Sequence, residues 1–588
     1  MNQLITTYAQ NLPDQALTEY PRPQLKRDSY LNLNGYWDFA ISKEENITSY
    51  DRKIKVPFSP ESVLSGISEI IYPDDYIFYH KTLTFEPGFI KDTTILHFGA
   101  VDQTCDVWIN DRHARHHVGG FTPFSIDITP FIQNEHLDIK LRVQDVSDTS
   151  YHLTGKQRLD HQGIWYTPQS GIWQTVWIES LPKIHIQDLK IIPQFDDHKV
   201  HISVQLSEPA DVKVKVYYQN ILLNETLFIN QQGDIKLDSF YPWTPENPEL
   251  YDLEIEVEDD VVRSYFGMRS FTMKLDQNKI MRFYLNNEPY FQSGVLDQGY
   301  YSDGLLTQPS DQAMIDDIIA MKKLGFNMLR KHIKIEPMRW YYHCDRLGML
   351  VWQDMVSGSE RKDIMFHGAL GLMNIHLNDQ WYLIFGRKNK EGRALYEKDL
   401  NTMLQELKNV VSIAVWVPFN EAWGQFDSKR ITSIIRSVDN TRLIDHASGW
   451  ADQGVGDFYS RHIYFKKIKF KKKNAKKRIL ALTEFGGYSL PLDGHRYQDG
   501  PAFGYKVFLE QPAFQEALIH LYEKEVFPAI DQGLSVLVYT QVTDVENEVN
   551  GFLTYDRKVC KVDRDVMVKL HQDLQERFVA SLFVASLK

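Results

Sequence analysis

From about residue 273 onward, short apolar, β-prone runs alternate with segments of helical period, and this alternation most constrains the fold. The runs are YFQSGV (290–295), GFNMLR (325–330), GMLVWQD (348–354), IAVWVPFNE (413–421), RLIDHASG (442–449), FYSRHIYF (458–465), RILALTEF (478–485) and LSVLVYTQ (534–541). Between them lie stretches such as DQAMIDDIIAMKKL (311–324), with apolar residues at helical spacing. Strands buried on both faces and separated by helices belong to parallel sheets, and eight of them over about 300 residues predict a (β/α)8 barrel for 273–588.

The first half has a different texture. Residues 1–183 hold short alternating runs such as Ile95–Phe98 and Cys105–Ile109, separated by turn signals such as Asn110-Asp111 and Gly119-Gly120. A β-sandwich of jelly-roll type is expected there. In 184–272, HKVHISVQL and DVKVKVYYQ alternate strictly, and about 90 residues of short strands suit an immunoglobulin-like sandwich.

In a barrel of this type the chemistry sits at the C-terminal ends of the strands. Of the 78 Asp and Glu residues, two obey that rule sharply. Glu421 closes the fourth run and Glu484 the seventh, and each precedes a glycine-containing turn, AWG or FGG. Glycosidic bonds need such a pair: one carboxyl protonates the leaving oxygen, and the other attacks the anomeric carbon or activates water. Weaker strand-end candidates accompany them. Asp297 follows the first run and either binds a sugar hydroxyl or caps its loop. Trp450 follows the fifth and could form a sugar platform; His462 and Tyr464 end the sixth; Gln541 ends the eighth.

Composition narrows the partners. The chain is 43% hydrophobic and 24% charged with net charge −13, which fits a folded protein and argues against a nucleic-acid partner. A basic run, KKIKFKKKNAKKR (466–478), reads as a solvated loop or as a patch for an anionic substrate or surface. Cys105, Cys344 and Cys560 lie far apart, so neither a disulfide framework nor a zinc site is expected. No apolar run reaches the ~18 residues of a membrane helix. The N-terminus lacks a basic start followed by an apolar stretch, so a cytoplasmic location is expected.

Stretches along nearly the whole chain resemble glycoside hydrolase family 2, which includes β-galactosidases, β-glucuronidases and β-mannosidases. YPRPQLKRDSYLNLNGYWDF (20–39) is similar to the family's opening segment. HFGAVDQTCDVWIND (97–111), GGFTPFSIDIT (119–129) and SGIWQTVWIE (170–179) resemble its sugar-binding sandwich. WYYHCDRLGMLVWQD (340–354) resembles the segment around its third barrel strand, and VWVPFNEAWG (415–424) and LTEFGG (482–487) its two catalytic motifs. The resemblance implies a retaining β-glycosidase acting on terminal non-reducing residues, with Glu421 as acid/base and Glu484 as nucleophile. It implies that Asn420 binds the sugar 2-hydroxyl, that a tyrosine near Tyr464 bonds to the nucleophile, and that Arg330 lies at the site. Its members are often oligomers, so a homo-oligomer is an expectation.

The match departs in three places. The family commonly has Arg, two residues, then His on its second strand; here His332 follows Arg330 one position early, and a one-residue shift turns a strand side chain to the opposite face. The Asn-x-Lys element that reads a uronate carboxylate in family β-glucuronidases corresponds to Glu548 and Asn550 in EVNGFLTYDR, which disfavours a uronate. The acidic-histidine element of the large metal-dependent β-galactosidases has no counterpart in WQDMVSGSERKD (352–363), so no metal and no cofactor are expected. A neutral glycone, β-galactoside first, is the family-weighted expectation. A β-mannoside, a β-glucuronide, or a catalytically inactive carbohydrate-binding protein are the alternatives.

Overall fold

The computed structural model describes residues 4–360, 364–373, 375–470, 475, 477–498 and 502–583. Residues 361–363 of the stretch after the third barrel strand, and 471–474 and 476 of the basic run, lie outside them. The N-terminal part is an antiparallel sandwich. A four-stranded sheet (Tyr30–Asn32, Val176–Leu181, Thr93–Phe98, Phe124–Asp127) packs on a six-stranded one that includes Gly35–Ser42, Tyr76–Thr84 and His136–Gln144. Alternation makes this core: every second residue of Thr104–Ile109 and His136–Gln144 is buried, and Trp37, Phe39, Tyr79, Leu96, Val107 and Leu141 meet between the sheets. A second sandwich of three and four strands spans Ile186–Gln194 to Asp260–Phe266, around Val200, Val214, Ile255 and Phe266.

The barrel strands are β1 (Gln292–Asp297), β2 (Met328–Lys331), β3 (Leu350–Asp354), β4 (Ile413–Val417), β5 (Leu443–Ile444), β6 (Phe458–Ile463), β7 (Ile479–Gly486) and β8 (Leu534–Thr540). They form one parallel sheet in the order β5-β4-β3-β2-β1-β8-β7-β6. The barrel is nearly closed: among the described residues no ladder joins β5 to β6. Strand period 2 sorts the side chains. Leu296, Met328, Trp352, Val415, Ala481 and Val538 fill the interior, whereas Val295, Leu329, Val351, Trp416, Leu480 and Leu537 face the helices. A small antiparallel sheet, Phe271–Leu275 with Met281–Leu285, adds Phe271, Phe283 and Leu285 to the interior cluster and closes one end of the barrel. The other end, where the strands finish, is the mouth.

The opening segment YPRPQLKRD (20–28) locks the two sandwiches together. Buried Glu179 accepts from Tyr20 Oη (2.6 Å), Trp177 Nε1 (3.0 Å), Arg22 (2.7 Å to each oxygen) and Arg27 (3.2 Å). Arg27 also forks onto Asp260 of the second sandwich, at 2.9 Å on both arms. Burial opposes the Glu179 charge, but Arg22 and Arg27 prevail and hold its carboxyl well below the ordinary range. The second sandwich is joined to the barrel through Asp345, which accepts from Tyr265 Oη (2.9 Å) and from the backbone N–H of Ser412 (2.7 Å).

The loop after His136–Gln144 carries the first sandwich over the barrel mouth. The N–H groups of Thr154 and Gly155 donate to the Ser357 carbonyl (3.0 and 2.8 Å), Thr167 N to Glu546 (2.8 Å) and Tyr166 Oη to Glu548 (2.5 Å). Breaking a buried ion network by deleting one partner leaves uncompensated charge, at a cost of about 3–5 kcal/mol. Glu179→Ala is therefore expected to lower the stability of the sandwich pair by about that amount, with Arg22 and Arg27 left facing each other. Denaturant unfolding followed by tryptophan fluorescence checks this, and a loss below about 1 kcal/mol would remove Glu179 as the keystone of the junction.

Candidate active site

Four inward-facing positions build the floor of the mouth. Arg330, near the end of β2, is fully buried at its centre. It forks onto Asp354 at the end of β3 (Nε–Oδ1 and Nη2–Oδ2, both 3.0 Å), donates to Glu484 Oε1 (3.1 Å) and donates to Asn420 Oδ1 (2.8 Å). A planar guanidinium suits this task, because its donors diverge in fixed directions and it stays charged. Asn420 thereby presents its oxygen to the arginine and keeps its buried amide N–H donors without a protein partner. A free amide at that place is suited to a sugar hydroxyl.

Glu484 reaches the mouth through a β-bulge. On β7, Leu482 pairs with Arg461 of β6, but the next residue of β6, His462, pairs with Glu484, so Thr483 is an extra residue. Leu480 and Leu482 face the helices, and simple alternation would send residue 484 the same way. The extra residue reverses the phase and turns the carboxylate inward. Tyr464 Oη donates to Glu484 Oε2 at 2.6 Å, and Thr540 Oγ1 lies 2.8 Å from the same hydroxyl. The Tyr464 ring is stacked at 3.6 Å on Tyr505.

Glu421 stands just beyond β4 in a left-handed backbone conformation, φ +48°, and Ala422 follows at +64°. Side chains rarely adopt this geometry, and it is held by Glu421 N donating to Ser448 O (2.9 Å) and Trp423 N donating to Asn420 O (2.9 Å). Between the two glutamates lies buried His462. Its Nδ1 is 2.8 Å from Glu421 Oε1 and 3.4 Å from Glu484 Oε2. Its Nε2 lies 3.5 Å from the Arg330 donor and 3.1 Å from Ser448 Oγ. One oxygen of Glu421, one of Glu484 and a ring nitrogen of His462 all lie within 4.8 Å of one another. Among the described residues this is the one histidine–acid cluster with metal-ligand spacing. Arg330 already supplies positive charge to it.

The two carboxyls differ in their surroundings. Burial pushes Glu421 up to about 7, with Lys156 and Arg330 opposing and Glu548 reinforcing the shift. Burial raises Glu484 as well, but Arg330 and the Tyr464 hydroxyl favour its charged form directly. Burial drives His462 down to about 3, so the imidazole is neutral. One group thus holds a proton near neutrality while the other has two donors for its charge, the asymmetry acid–nucleophile pairs require.

The other expected residues are placed as follows. His332 lies two residues beyond Arg330 and hence on the same face; the shift relative to the family pattern did not turn it away from the mouth. Its Nδ1 is 2.8 Å from Asp354 Oδ2, which Arg330 also holds. Asp297 faces away from the interior: it pairs with Lys331 (2.7 Å), which also binds Glu336 (2.7 Å), and the structure does not bring it to the cluster. Trp450 is partly exposed, its ring 6.4 Å from His462 and packed on helix Ile364–Met373, where a Cβ at Gly371 would collide with it. Gln541 is buried beside the floor and accepts from Gln298 Nε2 (2.7 Å). Glu548 is held by Tyr166 and by Asn550 Nδ2 (3.0 Å). Sequence reasoning passed over Asp354, although the strand-end rule marks it. It also passed over Trp423, although VWVPFNEAWG contains it, and Lys156, which no motif marks.

Three family models match in chain order: "Glycosyl hydrolases family 2, sugar binding domain" over 68–182, "Glycosyl hydrolases family 2" over 184–269, and its "TIM barrel domain" over 281–489. The chain belongs to glycosyl hydrolase family 2. It is 24% identical over 385 residues to a β-galactosidase of Streptococcus thermophilus, covering 63% of this chain and 35% of that protein. It is 24% identical over 433 residues to the β-galactosidase large subunit of Latilactobacillus sakei, covering 71% and 64%. The chain thus spans about a third to two thirds of the length of these curated relatives. In fold it is similar to β-glucuronidases of an uncultured Clostridium and of Ruminococcus gnavus, each with TM-score 0.74 at 16% identity, covering 94–95% of this chain and 99–100% of theirs. No helix among the described residues is long and apolar enough to cross a membrane.

The asymmetry of the two carboxyls sets a pH profile. With Glu421 as acid and Glu484 as nucleophile, the roles expected from the sequence, kcat/KM is expected to fall above about pH 7 as Glu421 loses its proton. It should also fall in acid, as Glu484 gains one. With an activated aryl glycoside, Glu421→Ala should remove the alkaline limb and keep the acid limb. An unchanged alkaline limb in that variant would assign it to another group.

Proposed function

We propose that this chain is a retaining β-glycosidase that removes terminal non-reducing residues, with Glu421 as acid/base and Glu484 as nucleophile. The observation that carries the reading is the spacing of the pair, whose nearest oxygens come within 4.8 Å around His462. Carboxyls about 5–5.5 Å apart leave no room for a water between them and the sugar, so the second attacks the anomeric carbon directly. In the first step Glu484 forms a bond to that carbon while Glu421 gives its proton to the departing oxygen. In the second, Glu421, now a base, takes a proton from water, which displaces Glu484 with net retention. Arg330 fixes Glu484 and Asn420 together, and the free Asn420 amide meets a hydroxyl of the sugar undergoing substitution.

A β-galactoside is the first choice of glycone. The relatives quoted above carry that name, and Glu548 stands where a uronate-reading cation is expected. A β-glucuronide is the second reading, favoured by the names of the similar folds quoted above, and a β-mannoside the third. A carbohydrate-binding protein without turnover is disfavoured by the complete acid–nucleophile pair with its arginine and tyrosine donors.

A panel of 4-nitrophenyl β-glycosides tests the reading. Glu484→Ala is expected to abolish turnover on every member, a loss of at least about a thousandfold. Glu421→Ala should lose far more on alkyl glycosides than on dinitrophenyl ones, because good leaving groups need little acid help. Equal losses in both variants on all substrates would overturn the roles, and anomeric inversion in product NMR would overturn retention.

A further inference from the structure

Lys156 lies in the loop that the first sandwich extends over the barrel mouth, and only 6% of it is exposed. Its ammonium is ringed by aromatic faces: Trp423 at 5.0 Å, Tyr166 at 5.9 Å and Trp165 at 6.0 Å. Among the described residues no carboxylate lies within ion-pair distance of Lys156 Nζ, and no oxygen accepts a hydrogen bond from it. Aromatic faces attract a cation but offer no lone pairs in the ring plane to replace its water. Buried lysines are almost always paired, so an unpaired one at this depth stands out. Next to it, the indole N–H of Trp423 is also buried and has no acceptor. Trp423 is 7% exposed, packed at 5.3 Å on Trp165, and only two residues beyond Glu421. Two pure donors, neither with an acceptor in the protein, therefore meet beside the acid/base.

The position says which sugar they face. A general acid stands beside the leaving oxygen, so the wall formed by Trp423 and Lys156 borders the leaving-group side of the cleft. The Lys156 charge is felt at Glu421, where it opposes the rise of the carboxyl. Glu548, the negative charge felt there, is engaged by Tyr166 and Asn550 and forms no pair with Lys156. Neutral hydroxyls would satisfy the indole N–H. A lysine side chain 6% exposed and without a carboxylate partner is matched by an anion.

We propose that Lys156 and the Trp423 indole N–H form a leaving-group subsite for a sugar that carries an anionic substituent, a carboxylate or a sulfate ester. This rests on the glycosidase reading above and adds the substrate class: a glycone held over Arg330 and Asn420, linked to an acidic sugar. The subsite is assembled from two domains, because Lys156 belongs to the sandwich and Trp423 to the barrel.

The test uses disaccharides with one common glycone, β-galactosyl or whichever the aryl panel returns. The reducing-end sugar is neutral, a uronic acid, or sulfated. For the wild-type enzyme kcat/KM is expected to be at least about tenfold higher for one of the acidic leaving groups, and which one identifies the anion. Lys156→Met should reduce the acidic-to-neutral ratio at least about tenfold, and Lys156→Arg should retain most of it. A wild-type enzyme with no preference for either acidic disaccharide overturns the proposal without need of any variant. An equal loss on acidic and neutral substrates in Lys156→Met, with a displaced alkaline limb, also overturns it and makes Lys156 a residue that tunes Glu421. Calorimetric binding of the same disaccharides to Glu484→Gln reads the subsite without turnover. Preferential binding of an acidic disaccharide by a protein that hydrolyses nothing would sink the glycosidase reading and keep the subsite.

Discussion

Arg330 is the constraint around which the mouth of the barrel is arranged. One guanidinium, fully buried, is shared by Asp354 on β3, Asn420 after β4 and Glu484 on β7. A lone buried cation would be costly, and so would a lone buried carboxylate. The three acceptors and the arginine therefore stabilise one another and fix the height of β7 relative to β2, β3 and β4, none of which it pairs with directly. Removing the guanidinium would leave Asp354 facing His332 and Glu484 facing Glu421, with little positive charge between them. Burial raises the Glu484 carboxyl, and this contact together with Tyr464 opposes that rise.

The architecture follows from the need to hold that floor still while leaving its top open. The interior below Arg330 is filled by Leu296, Met328, Trp352, Val415 and Val538 and sealed by Phe271 and Phe283, so the polar layer rests on packed side chains. Above it the walls come from elsewhere in the chain. The sandwich loop is fastened to the barrel by backbone groups at Thr154, Gly155 and Thr167 and by Tyr166. The Glu179 network holds that sandwich on the second one, and Asp345 joins the second to the barrel. The first sandwich is therefore part of the cleft, and the ion network at Tyr20–Asp28 bears on a wall of the site some distance away.

Much of this was legible in the sequence because the signals are periodic and local. The eight runs read as barrel strands are the eight barrel strands, since doubly buried parallel strands are apolar over their whole length. Glu421 and Glu484 were legible as strand-end acids. What escaped depends on phase and on distance. Alternation along ILALTE would point Glu484 outward, and only the extra Thr483 in the ladder points it in. The early His332 looked displaced in the sequence, yet a two-residue step keeps it beside Arg330, on Asp354. Asp297 ends its strand as the rule asks, but its phase is the outer one, and Lys331 neutralises it there.

Lys156 shows the harder limit. Nothing around it in LTGKQRLD sets it apart from a surface lysine, because its character comes from Trp423, 267 positions later in the chain, and from a loop docked on Ser357, just after β3. A barrel mouth built by eight strands can supply the reacting groups from within one domain, since bond cleavage always needs the same pair at the same spacing. Recognition of what lies beyond the scissile bond has no such fixed geometry, and it is met by whichever element overhangs the acid/base side. In this chain that element belongs to another domain. The reacting groups on the floor and the overhanging wall thus sit on separate elements, and a change in the wall need not disturb the floor.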